Sequence, residues 1–170
     1  MFREMRRFKQ QISQEECLRV LKEQPRGVLS MLGDDGYPYG VPLDHLYSEE
    51  DNKLYFHCAK VGHKIDAITA CNKVSYCVMN EGCRKDGEWA LNKKSVVVFG
   101  RIRIVEEEEK KREICTNLVR KFTDDQAYLQ REQDLPGEQA GRNRRRGDWG
   151  GNPAPPTFDS SDQHETVRWQ

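Results

Sequence analysis

The chain has 170 residues, enough for one domain with a sizeable core and a tail. Lys and Arg number 28, as do Asp and Glu, so there is no net basic charge to attract nucleic acid or an anionic membrane. The longest apolar runs have four or five residues, far short of a membrane span, and the basic N-terminus lacks the apolar stretch of a secretory signal. We therefore expect a cytoplasmic protein that binds neither membranes nor nucleic acid.

A capping box opens the first predicted helix. Ser13 can accept a hydrogen bond from the amide of Glu16, whose carboxylate can reach back in return. The pattern predicts a helix over 14–24 that ends before Pro25.

Short strands follow this helix. Their β-branched residues and the polar turns between the first three predict an antiparallel meander. Pro38 and Pro42 lie in the second strand, so neither position can supply an amide to the sheet. The predicted strands are 27–32, 37–47, 53–58, 74–79 and 95–105.

Helices are predicted at three further places. A short one covers 64–70, a longer one starts at Glu106 with the apolar stripe Ile114, Leu118 and Phe122, and another covers 124–132. Between the fourth and fifth strands, residues 80–94 are polar with one aromatic side chain, Trp89. That ring is expected either to line a substrate pocket or simply to pack.

Six cysteines are spread along the chain without a Cys-x-x-Cys pair. The closest neighbours have five residues between them, which favours reduced thiols over a zinc site. Cys17 and Cys115 lie on predicted helix faces, where we expect them to pack as small apolar side chains. We assign no metal ligands.

The composition changes after Pro136. Residues 137–170 contain no Leu, Ile, Met, Cys or Lys, but five Arg and five Gly. Such a segment cannot bury enough apolar surface to offset its ordering entropy. We therefore divide the chain into a domain over 1–136 and a disordered tail over 137–170, with the Arg142–Arg146 cluster as a solvated part of that tail.

The loop that leaves the third strand carries the clearest sign of a binding site. Free amides at a helix N-terminus attract phosphate through direct hydrogen bonds and the helix dipole. Here Gly62 precedes the short helix, and His57, Lys60, His63 and Lys64 place cationic or donor side chains around its start. The segment predicts an anion site; the alternative is a solvated basic loop.

Three segments carry a resemblance to a known family. They read Tyr-Pro-Tyr-Gly-Val-Pro-Leu over 37–43, Leu-Tyr-Phe-His-Cys-Ala and then Gly-His-Lys over 54–64, and Ser-Val-Val-Val-Phe-Gly-Arg over 95–101. In order and spacing, the chain resembles the pyridoxamine 5′-phosphate oxidase-related FMN-binding split barrels, especially the branch that includes nitroimidazole-resistance (Nim) proteins. The resemblance implies a mainly β chain with flanking helices (α+β), folded as an antiparallel split β-barrel. It also implies FMN as cofactor and a homodimer with FMN at the subunit interface.

The resemblance further implies contacts with the flavin ring. Val41, Pro42 and Leu43 would lie along the isoalloxazine and offer backbone groups to its polar edge, with the side chains of Val41 and Leu43 in the core. Ser95 matches a polar ring contact, within the chain or across the dimer; alternatively it simply begins a strand.

The remaining implied contacts surround the ribityl chain and the phosphate. Phe56 and His57 would flank them, and His63 and Lys64 match the positions at which the oxidases present cationic side chains to the phosphate. His45 could face the substrate from the same sheet, although a lone histidine on an aromatic-rich strand is more often structural.

The function implied by the resemblance is an FMN-dependent redox reaction on a small-molecule substrate, with nitroaromatic reduction suggested by the branch. No residue is assigned as a general acid or base, because the flavin itself carries the hydride. The alternative is a split barrel that binds haem or another cofactor without flavin catalysis. Family members continue into a further strand after the last helix. Here a tail with the composition of a replaced C-terminus stands in that place, so we expect one open barrel edge.

Overall fold

The computed structural model describes residues 4–127, 129–130 and 156–159. Within them, helices flank a set of short antiparallel strands. The elements are α1 (Gln14–Glu23), β1 (Arg26–Leu32), β2 (Pro38–Ser48), β3 (Lys53–Phe56), α2 (His63–Ala70), β4 (Lys73–Met79), β5 (Cys83–Arg84), β6 (Leu91–Asn92), β7 (Ser95–Ile104), α3 (Glu108–Arg120) and β8 (Pro156–Asp159).

Six of the strands close into a barrel in the order β1-β2-β3-β8-β7-β4, and β5 and β6 form a separate hairpin. All the pairings are antiparallel. The predicted antiparallel split barrel with flanking helices is therefore confirmed.

The register between β1 and β2 explains the two prolines in β2. The amide of His45 donates to the carbonyl of Pro25 at 3.2 Å, so the odd-numbered residues of β2 bond toward β1. Pro38 and Pro42 are even-numbered, so their backbone groups point away from β1. On that side no strand requires an amide donor from them. Since β3 pairs only with the last four residues of β2, the stretch 38–44 keeps a free edge.

The helix α1 begins as its capping box predicts. The amide of Glu16 donates to the hydroxyl of Ser13 at 3.2 Å. Its buried residues Cys17, Val20 and Leu21 belong to the main core cluster. Cys17, like Cys115 on α3, is buried as a small apolar side chain.

A close approach inside the barrel requires a glycine at position 27. The ring of Tyr76 crosses directly over Gly27, where an added Cβ would lie 2.7 Å from the Cζ atom of Tyr76 and 2.5 Å from the carbonyl oxygen of Cys77. The Tyr76 hydroxyl reaches the carbonyl oxygen of Leu43 at 2.8 Å. Tyr76 thus ties β4 to the middle of β2.

His45 is a structural residue of the core. It is fully buried, and its Nε2 lies 2.7 Å from the carbonyl oxygen of Leu21, a group that can only accept. Nε2 therefore carries the proton of the neutral ring, and Nδ1 is left as an acceptor 2.9 Å from the Tyr76 hydroxyl, whose single proton it shares with the carbonyl of Leu43. Both ring nitrogens are engaged, so the alternative in which His45 faces the substrate is wrong.

The third helix is shorter than predicted. It begins at Glu108 and ends at Arg120, so Phe122 falls beyond its apolar stripe and is half-exposed. Lys121 directly follows the helix. Its ammonium donates to the carbonyl oxygens of Gln24 and His45 at 2.7 and 2.9 Å. Within the span predicted for the next helix, residues 126–127 and 129–130 are helical.

The expected open edge is closed by β8. This strand pairs with β3 on one side and with β7 on the other. Composition does not predict this strand, because paired backbone groups can order a segment that offers little apolar burial. The rest of 137–170 lies outside the described residues, and the domain boundary at 136 stays a prediction.

Replacing Thr157 with proline tests this closure. Residue 157 pairs with Tyr55 and Arg103, and proline would remove an amide from the ladder. We expect a loss of about 1–3 kcal/mol in the free energy of unfolding, measured by urea denaturation. Thr157→Val keeps the amide and should unfold like the parent; equal stability of the two variants would contradict the pairing.

Candidate functional site

The loop after β3 ends in a glycine whose backbone conformation few other residue types adopt. Gly62 has φ of 120° and directly precedes α2. No side chain caps this helix. The first amides of α2 therefore point out of the helix without intrahelical acceptors, in the orientation that binds anions.

Lys64 adds a positive charge at this helix start. Burial lowers the pKa of His57, and the charge of Lys64 lowers it further. Burial raises the pKa of Cys58, and the same charge opposes that rise. The charge of Lys64 therefore acts on both side chains. This lysine is partly buried, and it forms no salt bridge within the described part of the chain.

His57 contributes an unsatisfied polar atom beside that charge. Its Nε2 is buried without a hydrogen-bond partner. Buried polar atoms in proteins are nearly always paired, so such an atom under the influence of a partly buried cation indicates a place for a further group. A phosphate oxygen would satisfy both the imidazole and the ammonium. The residues present thus fit the phosphate of a cofactor.

The side chain of His63 is engaged by Tyr39 and Asp34. Its ring stacks on Tyr39 with centroids 4.2 Å apart, and its Nε2 lies 3.3 Å from a carboxylate oxygen of Asp34. These contacts fix α2 against the turn between β1 and β2. What His63 offers at the helix start is its backbone amide, whereas sequence reasoning assigned its side chain.

The predicted ring contacts in β2 lie on its free edge. Val41 and Leu43 turn their side chains toward the core, as expected, and Pro42 is exposed. With the odd-numbered residues bonded to β1, the amide of Gly40 and the carbonyls of Gly40 and Pro42 face the free edge. A planar polar molecule placed there would meet one donor and two acceptors.

Two of the residues predicted to contact the cofactor lie apart from the β2 edge. Phe56 is fully buried and packs edge-on against Tyr76, with centroids 4.8 Å apart, so its ring belongs to the core. Ser95 is exposed at the start of β7, which is three strands from β2 in either direction around the barrel. Within one chain, Ser95 is therefore remote from the β2 edge.

Sequence reasoning missed the groups that hold the site in place. The stacking of Tyr39 on His63 and the bond from Tyr76 to Leu43 link segments that are distant along the chain. The role of Gly40 could have been recognised from the sequence. It lies midway between Pro38 and Pro42, which have no amide hydrogen to donate to a neighbouring strand.

A separate cavity of about 820 Å³ lies elsewhere, between β3, the end of α2 and the start of α3. Acidic and basic side chains line it together, among them Asp51, Lys53 and Lys110. None of the predicted cofactor residues contributes to it, so it is distinct from the site at the β2 edge.

Within the described residues, no group of three or more His, Cys, Asp and Glu side chains could hold a metal ion. In the same part of the chain, no helix combines the length and apolar character needed to cross a bilayer.

Comparison with solved structures shows the same fold in several proteins. A candidate 5-nitroimidazole antibiotic resistance protein from Bacteroides thetaiotaomicron matches 86% of this chain and 78% of its own, at 19% identity and a TM-score of 0.67. The flavocytochrome Anf3 from Azotobacter vinelandii matches 86% and 63%, at 18% identity and a TM-score of 0.64. A heme binding protein from Mycobacterium smegmatis matches 86% and 51%, at 11% identity and a TM-score of 0.57. At these identities the likeness concerns the fold alone.

None of the curated proteins gives a significant match. The family model for pyridoxamine 5′-phosphate oxidase, by contrast, matches residues 13–142. These include five of the six barrel strands, the free edge of β2 and the loop that carries His57 and Lys64. The chain belongs to the pyridoxamine 5′-phosphate oxidase family.

Proposed function

We propose that this protein binds FMN and, as a homodimer, carries out redox chemistry on a small molecule. The observation that carries the proposal is the partly buried Lys64 beside the unpartnered Nε2 of His57, at the uncapped start of α2. A phosphate needs such a combination of cation, donor and free amides. The membership in the family supports the choice of FMN.

The residues would divide the work of binding. Lys64, His57 and the first amides of α2 would hold the phosphate, and the backbone of Gly40 and Pro42 would meet the polar edge of the ring. The core packing of Val41 and Leu43 keeps that strand rigid, so the ring would be oriented by a fixed edge. Bound FMN would supply hydride transfer, while the chain positions it and limits access of water.

A nitroaromatic compound is the substrate that we propose. The support is a candidate 5-nitroimidazole antibiotic resistance protein that shares the fold. The described part of the site presents a single partly buried lysine, Lys64, and that cation would be occupied by the cofactor phosphate. A second phosphate, as on a pyridoxine phosphate substrate, would lack a comparable partner there.

The experiment is a half-reaction with the flavin-loaded protein. FMN-loaded protein reduced with dithionite under nitrogen is mixed with a nitroaromatic, and reoxidation of the flavin is followed by absorbance. We expect reoxidation faster than that of free reduced FMN at the same concentration. Equal rates would contradict the proposed reaction. A protein that retains no FMN would also contradict the proposed cofactor.

Haem is the second candidate, and one observation favours it. His57 has a buried ring nitrogen without a hydrogen-bond partner, and a haem iron requires such a ligand. A heme binding protein shares the fold. Titration with hemin distinguishes the two: a Soret band that is lost in His57→Ala supports haem, whereas FMN retention with no Soret shift supports flavin.

A further inference from the structure

We propose that the stacked rings of Tyr39 and His63 set the spacing between the two ends of the site, the β2 edge and the start of α2, and thereby favour a ligand that fills both. The inference rests on the proposed function. It makes His63 a positioning residue, whose ring acts through Tyr39 and not on the phosphate itself. One contact thus joins the part of the site that would meet the flavin ring to the part that would hold the phosphate.

The stack is a face-on pair of rings with one firmly held member. The centroids are 4.2 Å apart, and the ring planes meet at 19°. Tyr39 is partly buried and packs against the main core cluster, whereas the side chain of His63 is 45% exposed. The barrel therefore fixes the tyrosine, and the tyrosine in turn fixes the imidazole.

A second, weaker contact holds the imidazole from the turn between β1 and β2. Its Nε2 lies 3.3 Å from a carboxylate oxygen of Asp34, whose side chain is 85% exposed. Even when the imidazole is protonated, an ion pair as exposed as this contributes little. The turn itself is closed by the amide of Tyr37, which donates to the carbonyl of Asp34 at 3.0 Å. The stack on Tyr39 is thus the contact expected to carry most of the effect.

The helix start leaves two backbone donors for a ligand. The amides of Ile65 and Asp66 donate to the carbonyl of Gly62 at 2.8 and 3.1 Å. The amides of His63 and Lys64 find no acceptor within the described residues. Since one of these free amides belongs to the residue whose ring is stacked, a fixed imidazole limits the rotation of the backbone that presents both.

The other partner of the stack lies at the ring end of the site. Tyr39 directly precedes Gly40, whose amide and carbonyl face the free edge of β2. Along the chain, β3 and the loop after it separate this edge from α2. The stack bypasses them and links the two ends of the site through a single side-chain contact.

A fixed spacing matters only to a ligand that reaches both ends. Once one end of such a molecule is bound, the other end binds at an effective concentration that depends on how well the two positions match its length. Rigid placement also avoids the cost of ordering the site during binding. Riboflavin lacks the phosphate and would use the β2 edge alone. Loss of the stack should therefore weaken FMN binding and leave riboflavin binding as it was.

Two other roles of these residues lead to different results. If the imidazole were a phosphate ligand, any replacement without a donor nitrogen would weaken FMN binding, whether or not it kept a ring. If Tyr39 only stabilised the barrel, its loss would lower the affinity for both flavins together. Variants that separate ring, charge and packing therefore distinguish the three roles.

The first test compares Tyr39→Leu with Tyr39→Phe in the full chain, by fluorescence titration with FMN and with riboflavin. We expect Tyr39→Leu to weaken FMN binding about two- to tenfold, the range for an aromatic pair. Its affinity for riboflavin should be unchanged, and Tyr39→Phe should bind both flavins like the wild type. Equal affinities of the two variants for FMN, or an equal loss for both flavins in Tyr39→Leu, would overturn the inference and leave the proposed function standing. If the wild type binds no FMN, the proposed function fails and this inference fails with it.

The second test uses position 63, where the side chain is exposed and lies outside the core clusters. His63→Phe keeps a ring without a charge, His63→Lys keeps a charge without a ring, and His63→Leu keeps neither. We expect FMN affinity to be retained in His63→Phe and to fall about two- to tenfold in the other two. The double variant Tyr39→Leu/His63→Leu should bind FMN no worse than either single variant, because both changes remove the same contact. Loss of affinity in His63→Phe with retention in His63→Lys, or additive losses in the double variant, would overturn the inference.

Discussion

Replacing Lys64 with alanine should weaken FMN binding about ten- to hundredfold. The change removes one charge-assisted contact to phosphate, worth about 1.5–3 kcal/mol, from a partly buried position where solvent screening is reduced. A second consequence follows from the same charge. Because Lys64 lowers the pKa of His57, that pKa should rise in the variant.

Fluorescence titration with FMN measures the first effect, and NMR titration of the imidazole measures the second. Lys73→Ala is the control, since Lys73 is an exposed lysine at the far end of β4. Lys64→Arg should retain most of the affinity. If Lys64→Ala and Lys73→Ala bind FMN equally, Lys64 does not contact the phosphate.

Acidification should destabilise the fold by about 3 kcal/mol through His45 alone. Burial is the main reason that its pKa falls from 6.5 to about 4, and the charge of Lys121 adds to the effect. Between these values the unfolded chain binds more protons than the folded one, so stability is full above about pH 6.5 and is lost as the pH falls toward 4. Each unit of pKa difference between the folded and unfolded states corresponds to 1.36 kcal/mol, so the lowered pKa of His45 gives the expected loss of stability.

Urea denaturation of the wild type and of His45→Gln, at pH 7 and pH 4.5, measures this loss. The wild type should lose stability on acidification, and the variant should lose clearly less, because glutamine does not titrate. A His45→Gln variant with the pH dependence of the wild type would show that His45 does not titrate in the folded core.

Local signals were enough for most of the fold. The capping box placed α1, the turn residues separated the strands of the meander, and Pro38 and Pro42 fell at positions without a ladder donor. The strand β8 could not be predicted in this way. It is ordered by backbone pairing with β3 and β7, which are separated from it by about 50 to 100 residues along the chain, and composition carries no trace of that pairing.

The candidate site was predictable where it is contiguous in sequence. His57 and Lys64 belong to one strand–loop–helix segment, whose chemistry can be recognised without knowing the fold. The direction of a side chain is harder to foresee: Phe56 precedes His57 but packs against Tyr76 in the core, and the ring of His63 turns to Tyr39. Only long-range packing decides these orientations.

The proposed binding of FMN depends on a phosphate held between the end of β3 and the start of α2. Parallel titrations of the flavin-free protein with FMN and with riboflavin, which lacks the phosphate, test that claim most directly. We predict that FMN binds at least about tenfold more tightly, as expected for the loss of one or more charge-assisted contacts. Equal affinity for the two flavins, or no binding of either, would contradict it.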